Sequence, residues 1–157
     1  TTSPSMDILI SSNLERLIYL ICGEDSEKTK ELMEELKTTG KYTITPEMKE
    51  KLADFAAGYS TEEETAESIH DTYQKTGYVM DTHTAVAAHV CGQYRAKSGD
   101  QTKCVIASTA SPYKFVKSVM SAIDAENANA DEFDLLPKLQ EVSGVPMPQA
   151  IKDILDA

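Results

Sequence analysis

One short segment constrains the fold more than any other. Residues 103–108, Lys-Cys-Val-Ile-Ala-Ser, are continuous and largely apolar, the pattern of a buried parallel strand. Nearly everything around them reads as helix. Tyr42-Thr43-Ile44 and Tyr78-Val79-Met80 also have extended character, but both are very short. Isolated strands of this kind do not make a stable sheet. Either they pair with strands supplied by another part of a longer chain, or the piece is almost wholly helical. The first option makes the chain α/β and helix-rich, with few short strands and an incomplete sheet.

The helices announce themselves through caps. Ser12 and Glu15 have capping-box spacing, followed by Leu14, Leu17, Ile18 and Ile21 at helical intervals. Gly23 closes that run. Ser26 opens a second helix with Leu32, Met33 and Leu36 on one face, and Gly40 stands at its C′ position. Thr45-Pro46 starts a third, which Leu52, Phe55 and Ala56 line and Gly58 ends. Thr61 and Glu64 form another capping box, and Gly77 ends the helix they open. Asp81 or Thr82 caps a helix to about residue 96, apolar on nearly all sides around 84–88 and so expected to be deeply buried. Ser111-Pro112 caps a helix holding Phe115, Val116, Val119, Met120 and Ile123. Residues 126–131 form a polar loop, 133–142 a helix interrupted by Pro137, and Pro148 starts the last helix.

The 157 residues, 41% of them apolar, suffice for one core without a metal or disulfide staple. A net charge of −11, from 26 acids and 15 bases, argues against nucleic acid or an anionic membrane as partner. Glu62, Glu63, Glu64 and Glu67 read as a solvated helix start. No stretch approaches the roughly 20 apolar residues of a membrane span. Cys22, Cys91 and Cys104 are odd in number and widely spaced, which reads as small buried residues in a reducing, cytoplasmic setting. No cluster has metal-ligand spacing. The opening residues have neither an initiator methionine nor a signal-peptide pattern, and read as the continuation of something longer.

Three places can carry chemistry. The segment 103–108 runs into Ser108-Thr109-Ala110-Ser111-Pro112, and ligands bind at the carboxyl ends of parallel strands. Ser108 and Thr109 either face a ligand or only satisfy turn and cap hydrogen bonds. At Asp81-Thr82-His83-Thr84, His83 is either an acid, base or phosphate contact at a helix start, or a first-turn surface residue beside the Asp81 cap. At Asn13, Glu15 and Arg16, the guanidinium either forks onto a carboxylate or phosphate, or pairs with Glu15 or Asp7. His70 lies on a polar face and His89 within an apolar helix, as a satisfied core histidine. No nucleophile elbow, phosphate loop or metalloprotease motif occurs. No lysine is singled out for covalent chemistry.

Three segments together resemble the threonine synthase family. Ser3-Pro4-Ser5-Met6-Asp7, leading to Ser12-Asn13-Leu14-Glu15-Arg16, is similar to the family's Ser-x-x-Met-Asp stretch and Ser-Asn-x-Glu-Arg helix start. Asp81-Thr82-His83-Thr84-Ala85 resembles its Asp-Pro-His-Thr-Ala element, with Thr82 where Pro is frequent. Ser108-Thr109-Ala110-Ser111-Pro112-Tyr113-Lys114-Phe115 resembles its Ser-Thr-Ala-His-Pro-x-Lys-Phe element, with Ser111 in place of His. The order is the family's, and the matches reach across most of the chain.

The resemblance implies the C-terminal portion, residues 1–157, of a fold-type-II enzyme that uses pyridoxal 5'-phosphate. The implied reaction converts O-phosphohomoserine and water to threonine and phosphate. Thr109 is the implied partner of the cofactor's pyridine nitrogen, while Asn13, Arg16 and His83 occupy motif positions with substrate or structural roles. The Schiff-base lysine and phosphate cup are expected upstream, so the remainder of the same enzyme is the implied partner and this chain alone is expected to be inert. Two other readings compete: a non-catalytic helical interaction domain, and a related lyase such as a serine or threonine dehydratase. The Met6-Asp7 and Asn13-Glu15-Arg16 combination argues against the dehydratase, and the orphan segment 103–108 against the helical module.

Overall fold

The computed structural model describes residues 1–155. They form two compact units, one of Asp7–Ala57 and one of Thr1–Met6 together with the residues from Gly58 onward.

The smaller unit is built from α1 (Ser12–Ile21), α2 (Ser26–Thr39) and the short α3 (Pro46–Glu50). Ser11, not Ser12, caps α1, its hydroxyl accepting from the Leu14 N–H at 3.4 Å. Leu14 then stands at the N3 position, so the expected capping box with Glu15 does not form. Asp25 caps α2 by accepting from the Lys28 N–H, and Gly40 ends it in the left-handed region at φ 77°. Ile18 and Ile21 pack with Leu32 and Met48, flanked by Leu17, Met33, Tyr42, Ile44 and Leu52. α3 stops at Glu50, short of Phe55, which stays exposed.

The larger unit holds α4 (Glu62–Thr76), α5 (Thr82–Ser98), α6 (Val116–Ile123), α7 (Glu132–Ser143) and α8 (Gln149–Leu155). Its core joins Ile69 of α4, Val79, Met80 and Ala85, the apolar face of α6, and Leu135, Leu136 and Leu139 of α7. Short 3-10 turns cover Pro4–Met6, Pro112–Phe115 and Ala125–Asn129, the last replacing part of the expected polar loop. α7 passes through Pro137 without a break. Proline removes only the bond to the Phe133 carbonyl. Both residues are exposed, so water can serve that carbonyl, while three buried leucines hold the helix on the core.

The Thr61–Glu64 capping box is present in both directions: the Glu64 N–H donates to Thr61 Oγ1 at 3.2 Å, and the Thr61 N–H donates to Glu64 Oε2 at 2.8 Å. Thr61→Ala is expected to destabilise the larger unit by about 1 kcal/mol, whereas Thr61→Ser should leave it within a few tenths. Urea unfolding checks this, and equal effects from both variants would contradict it.

Two expectations fail for one physical reason. No strand forms among the described residues: 42–44, 78–80 and 103–108 are all irregular. A strand exists only through hydrogen bonds to a neighbour, and these segments have none. Val105 is 89% exposed and Cys104 is exposed, contrary to the buried placement expected of them. Likewise only the first turn of α5, Thr82 to Ala85, is buried, and 86–91 are half-buried. His89 is accordingly no core residue; it lies 2.9 Å from Gln93 Nε2 and 3.6 Å from Glu64 Oε1.

Candidate functional site

The first turn of α5 is where separated parts of the sequence meet. Asp81 sets it up. Its Oδ1 accepts from the N–H groups of His83 at 2.9 Å and Thr84 at 3.2 Å, and the Thr84 hydroxyl donates to Oδ2. A short carboxylate side chain just before a helix satisfies the orphan donors of its first turn in this way. With the cap fixed, the next two side chains have fixed directions.

Thr82 Oγ1 donates to the Thr2 carbonyl at 2.8 Å, and the Ser5 N–H donates to His83 Nε2 at 3.1 Å. These two bonds seat the N-terminal Ser3-Pro4-Ser5 stretch on α5, with Ser3 buried. They also settle the His83 tautomer. Nε2 is used as an acceptor, so in the neutral ring the proton sits on Nδ1. Nδ1 lies 3.3 Å from Thr82 Oγ1, whose own proton is committed to Thr2. The Nδ1–H group can therefore donate to that oxygen. His83 is 8% exposed, so it is not the surface residue that its helix position allowed. The Phe115 ring packs on it, with centroids 4.7 Å apart. At the chain end, Glu62 accepts from the Thr2 hydroxyl at 2.6 Å and from its N–H. The Thr2 hydroxyl holds the Glu62 carboxyl below its ordinary range.

The third motif arrives from the other side. Thr84 Oγ1 is hydrogen bonded to Ser108 Oγ at 3.1 Å. Ser108 thus spends its hydroxyl on the protein, whereas Thr109 is exposed and its side chain has no hydrogen-bond partner among the described residues. Ser111 caps the following turn through the Tyr113 N–H at 3.3 Å. Lys114 Nζ stands 5.6 Å from the Phe115 ring centroid, near enough for a cation–π contact.

Asn13 and Arg16 belong to the smaller unit and are exposed on α1. Arg16 lines a cavity of about 520 Å³ between α1 and α2, along with Glu15, Lys30 and Glu34. Two cations and two carboxylates leave this cavity without a dominant charge. The fork geometry that Arg16 offers has no fixed partner there.

Sequence reasoning missed the Ser5 backbone and Phe115 as neighbours of His83. The first acts through a main-chain N–H, which leaves no trace in residue type. Phe115 had a legible signal in its motif position but no stated role.

The convergence can now be set beside known proteins. The family described as "Threonine synthase, C-terminal" matches residues 84–155. Human threonine synthase-like 1 is 35% identical over 147 residues, covering 93% of this chain and 19% of that protein. Threonine synthase of Saccharomyces cerevisiae is 36% identical over 153 residues, covering 88% of this chain and 30% of its own length. A crystal structure of PLP-bound threonine synthase from Brucella melitensis superposes with a TM-score of 0.68 at 41% identity, over 78% of this chain and 26% of that one. The chain thus spans between 19% and 30% of the length of these curated relatives. Over residues 84–155 the chain matches the C-terminal part of threonine synthases, and the relatives that it resembles over most of its length are threonine synthases and threonine synthase-like proteins.

Proposed function

We propose that this chain supplies the C-terminal part of a pyridoxal-phosphate-dependent enzyme, of α/β fold type II, that converts O-phosphohomoserine and water to threonine and phosphate. One observation carries the reading. The family's Ser3-Pro4-Ser5, Asp81-Thr82-His83-Thr84 and Ser108-to-Phe115 elements, far apart in sequence, share hydrogen bonds and ring contacts at the start of α5.

The residues present suit the cofactor. Thr109 has an exposed hydroxyl not engaged by the protein, the neutral donor that a pyridine nitrogen accepts from. When bound, pyridoxal phosphate supplies an electron sink for bond cleavage next to the substrate amine. A hydroxyl at the ring nitrogen, unlike a carboxylate, leaves that nitrogen largely unprotonated. Ser108 holds Thr109's segment to α5 through Thr84. His83, hydrogen bonded on one side and packed against the tilted Phe115 ring on the other, fits a positioning role better than proton transfer. Asn13 and Arg16 are candidates for substrate contact.

The cofactor-binding lysine belongs to an upstream part of the enzyme in this reading. Every described lysine except the half-buried Lys28 is exposed, and Lys28 pairs with Glu31 at 3.0 Å. Among the described residues, no helix is long and apolar enough to cross a membrane. The three free cysteines fit a reducing, cytoplasmic compartment. The exposed segment 103–108 fits an added strand in a sheet of that upstream part.

The test has two arms. With added cofactor, the 157-residue chain should release no phosphate from O-phosphohomoserine; release would overturn the division of labour. Fused behind the upstream part of the yeast synthase, the same chain should form threonine. A soluble, cofactor-loaded fusion that forms none would sink the reading. In that fusion, Thr109→Val should lower kcat by about 10-fold or more, the loss of one hydrogen bond to a charged or polarised partner. Its cofactor absorbance should shift as well.

A further inference from the structure

Residues 102–108 have no regular structure and are tied to α5 at both ends. Arg95 Nη2 donates to the Thr102 carbonyl at 2.6 Å, and Thr84 Oγ1 is bonded to Ser108 Oγ at 3.1 Å. The lengths agree. From Thr84 to Arg95 the helix rises about 16 Å, and six extended residues span about 20 Å. The segment therefore runs antiparallel to the helix along this stretch. Cys91 stands one turn before Arg95, and Cys104 two residues after Thr102, so each is displaced about 6 Å from the same tie point. The two ties thus bring the thiols to the same stretch of α5, close enough for Cys104 to act on the Cys91 thiol. Cys104 is exposed and Cys91 half-buried, so small reagents reach the pair. The third thiol, Cys22, lies in the other unit, 3.9 Å from Met48 Sδ.

We propose that Cys91 and Cys104 form an oxidisable dithiol that a low-molecular-weight disulfide, such as oxidised glutathione, converts to an intrachain disulfide, locking residues 102–108 onto α5. Neither cysteine is among the residues assigned to the reaction above, although Cys104 lies on the segment that leads to Thr109.

The chemistry balances in two exchanges. The Cys104 thiolate attacks one sulfur of oxidised glutathione, forming a mixed disulfide and expelling one glutathione thiolate. The Cys91 thiolate then attacks the Cys104 sulfur, forming the intrachain bond and expelling the second. The protons of the two protein thiols end on the two glutathiones, so the protein is oxidised by two electrons and the reagent reduced by two. The Cys104 thiol and partial burial hold the Cys91 thiol above its ordinary value. The more exposed Cys104 therefore makes the first attack, and Cys91 resolves it. In a reducing compartment such a bond forms conditionally.

The folded 157-residue chain is incubated with excess oxidised glutathione, quenched in acid, and analysed by thiol titration, intact mass and peptide mapping. Titratable thiols should fall from three to one, and the mass should fall by about 2 Da. The linked peptide should join Cys91 to Cys104, leave Cys22 free, and open again with dithiothreitol. Cys91→Ser should instead accumulate a stable glutathione adduct on Cys104, which keeps the proposal testable if the linked peptide is hard to recover. Three unchanged thiols, a persistent adduct on Cys104 of the parent chain, or a bond to Cys22 would each overturn it.

Discussion

Asp81→Ala is expected to destabilise the larger unit by about 2–4 kcal/mol, from cap loss plus buried groups left unsatisfied. Asp81 is 1% exposed and serves three donors: two backbone N–H groups and the Thr84 hydroxyl. Alanine leaves those donors facing a dry pocket. Loss of the cap alone costs about 0.5–2 kcal/mol, and stranded buried donors add about 1–3. The damage should also spread, because the directions of Thr82 and His83 depend on that cap, and both hold the Thr1–Met6 segment. Hydrogen exchange should therefore quicken at the amides of Ser5 and of the first α5 turn together. Asp81→Asn, which keeps one acceptor oxygen, should cost less than half as much. A loss below about 0.5 kcal/mol for the alanine variant would mean that the cap is dispensable, a size typical of plain surface changes.

Leu135→Ala should cost about 3 kcal/mol, within the 2–5 range for emptying a large aliphatic site. Leu135 is 0% exposed in the core that joins α4, α6 and α7. Its neighbours come from helices held by several other contacts, so the space cannot collapse easily. Phe133, two residues earlier on the same helix, is exposed, and Phe133→Ala should stay within about 0.5 kcal/mol. Urea midpoints at unchanged slope separate the two. A Phe133 variant as costly as the Leu135 one would place α7 in the wrong rotation.

Much of the helix layout was readable because capping is local chemistry. Thr61 with Glu64, Asp81 before α5, Asp or Ser before a run, and Gly40 and Gly77 after one all act within four residues. What failed was whatever depended on a neighbour. The apolar run 103–108 has the composition of a strand, but composition cannot supply the ladder partner, and Val105 is left in water. Val86 to Cys91 asked for burial that nothing in the described residues fully provides. The choice between the two readings of His83 was illegible for the same reason: its partners, Ser5 and Phe115, lie 78 and 32 positions away, beyond any periodic pattern. The motif resemblance did pick out the residues that converge at α5. It gave no sign that Asn13 and Arg16 would sit in a different compact unit from His83 and Thr109.

The larger unit is discontinuous: the chain leaves it at Met6 and returns at Gly58. During synthesis at about 5–20 residues per second, the Thr2 carbonyl waits about 4–16 s before Thr82 exists. The smaller unit closes its own core from nearby residues in the meantime. Non-local contacts form slowly, because the intervening loop must close before they yield any gain. Compaction of the smaller unit shortens that loop in effect. Residues 1–6 are therefore made before the smaller unit and seated after it, and α5 folds with an empty slot at its N-terminus until they arrive.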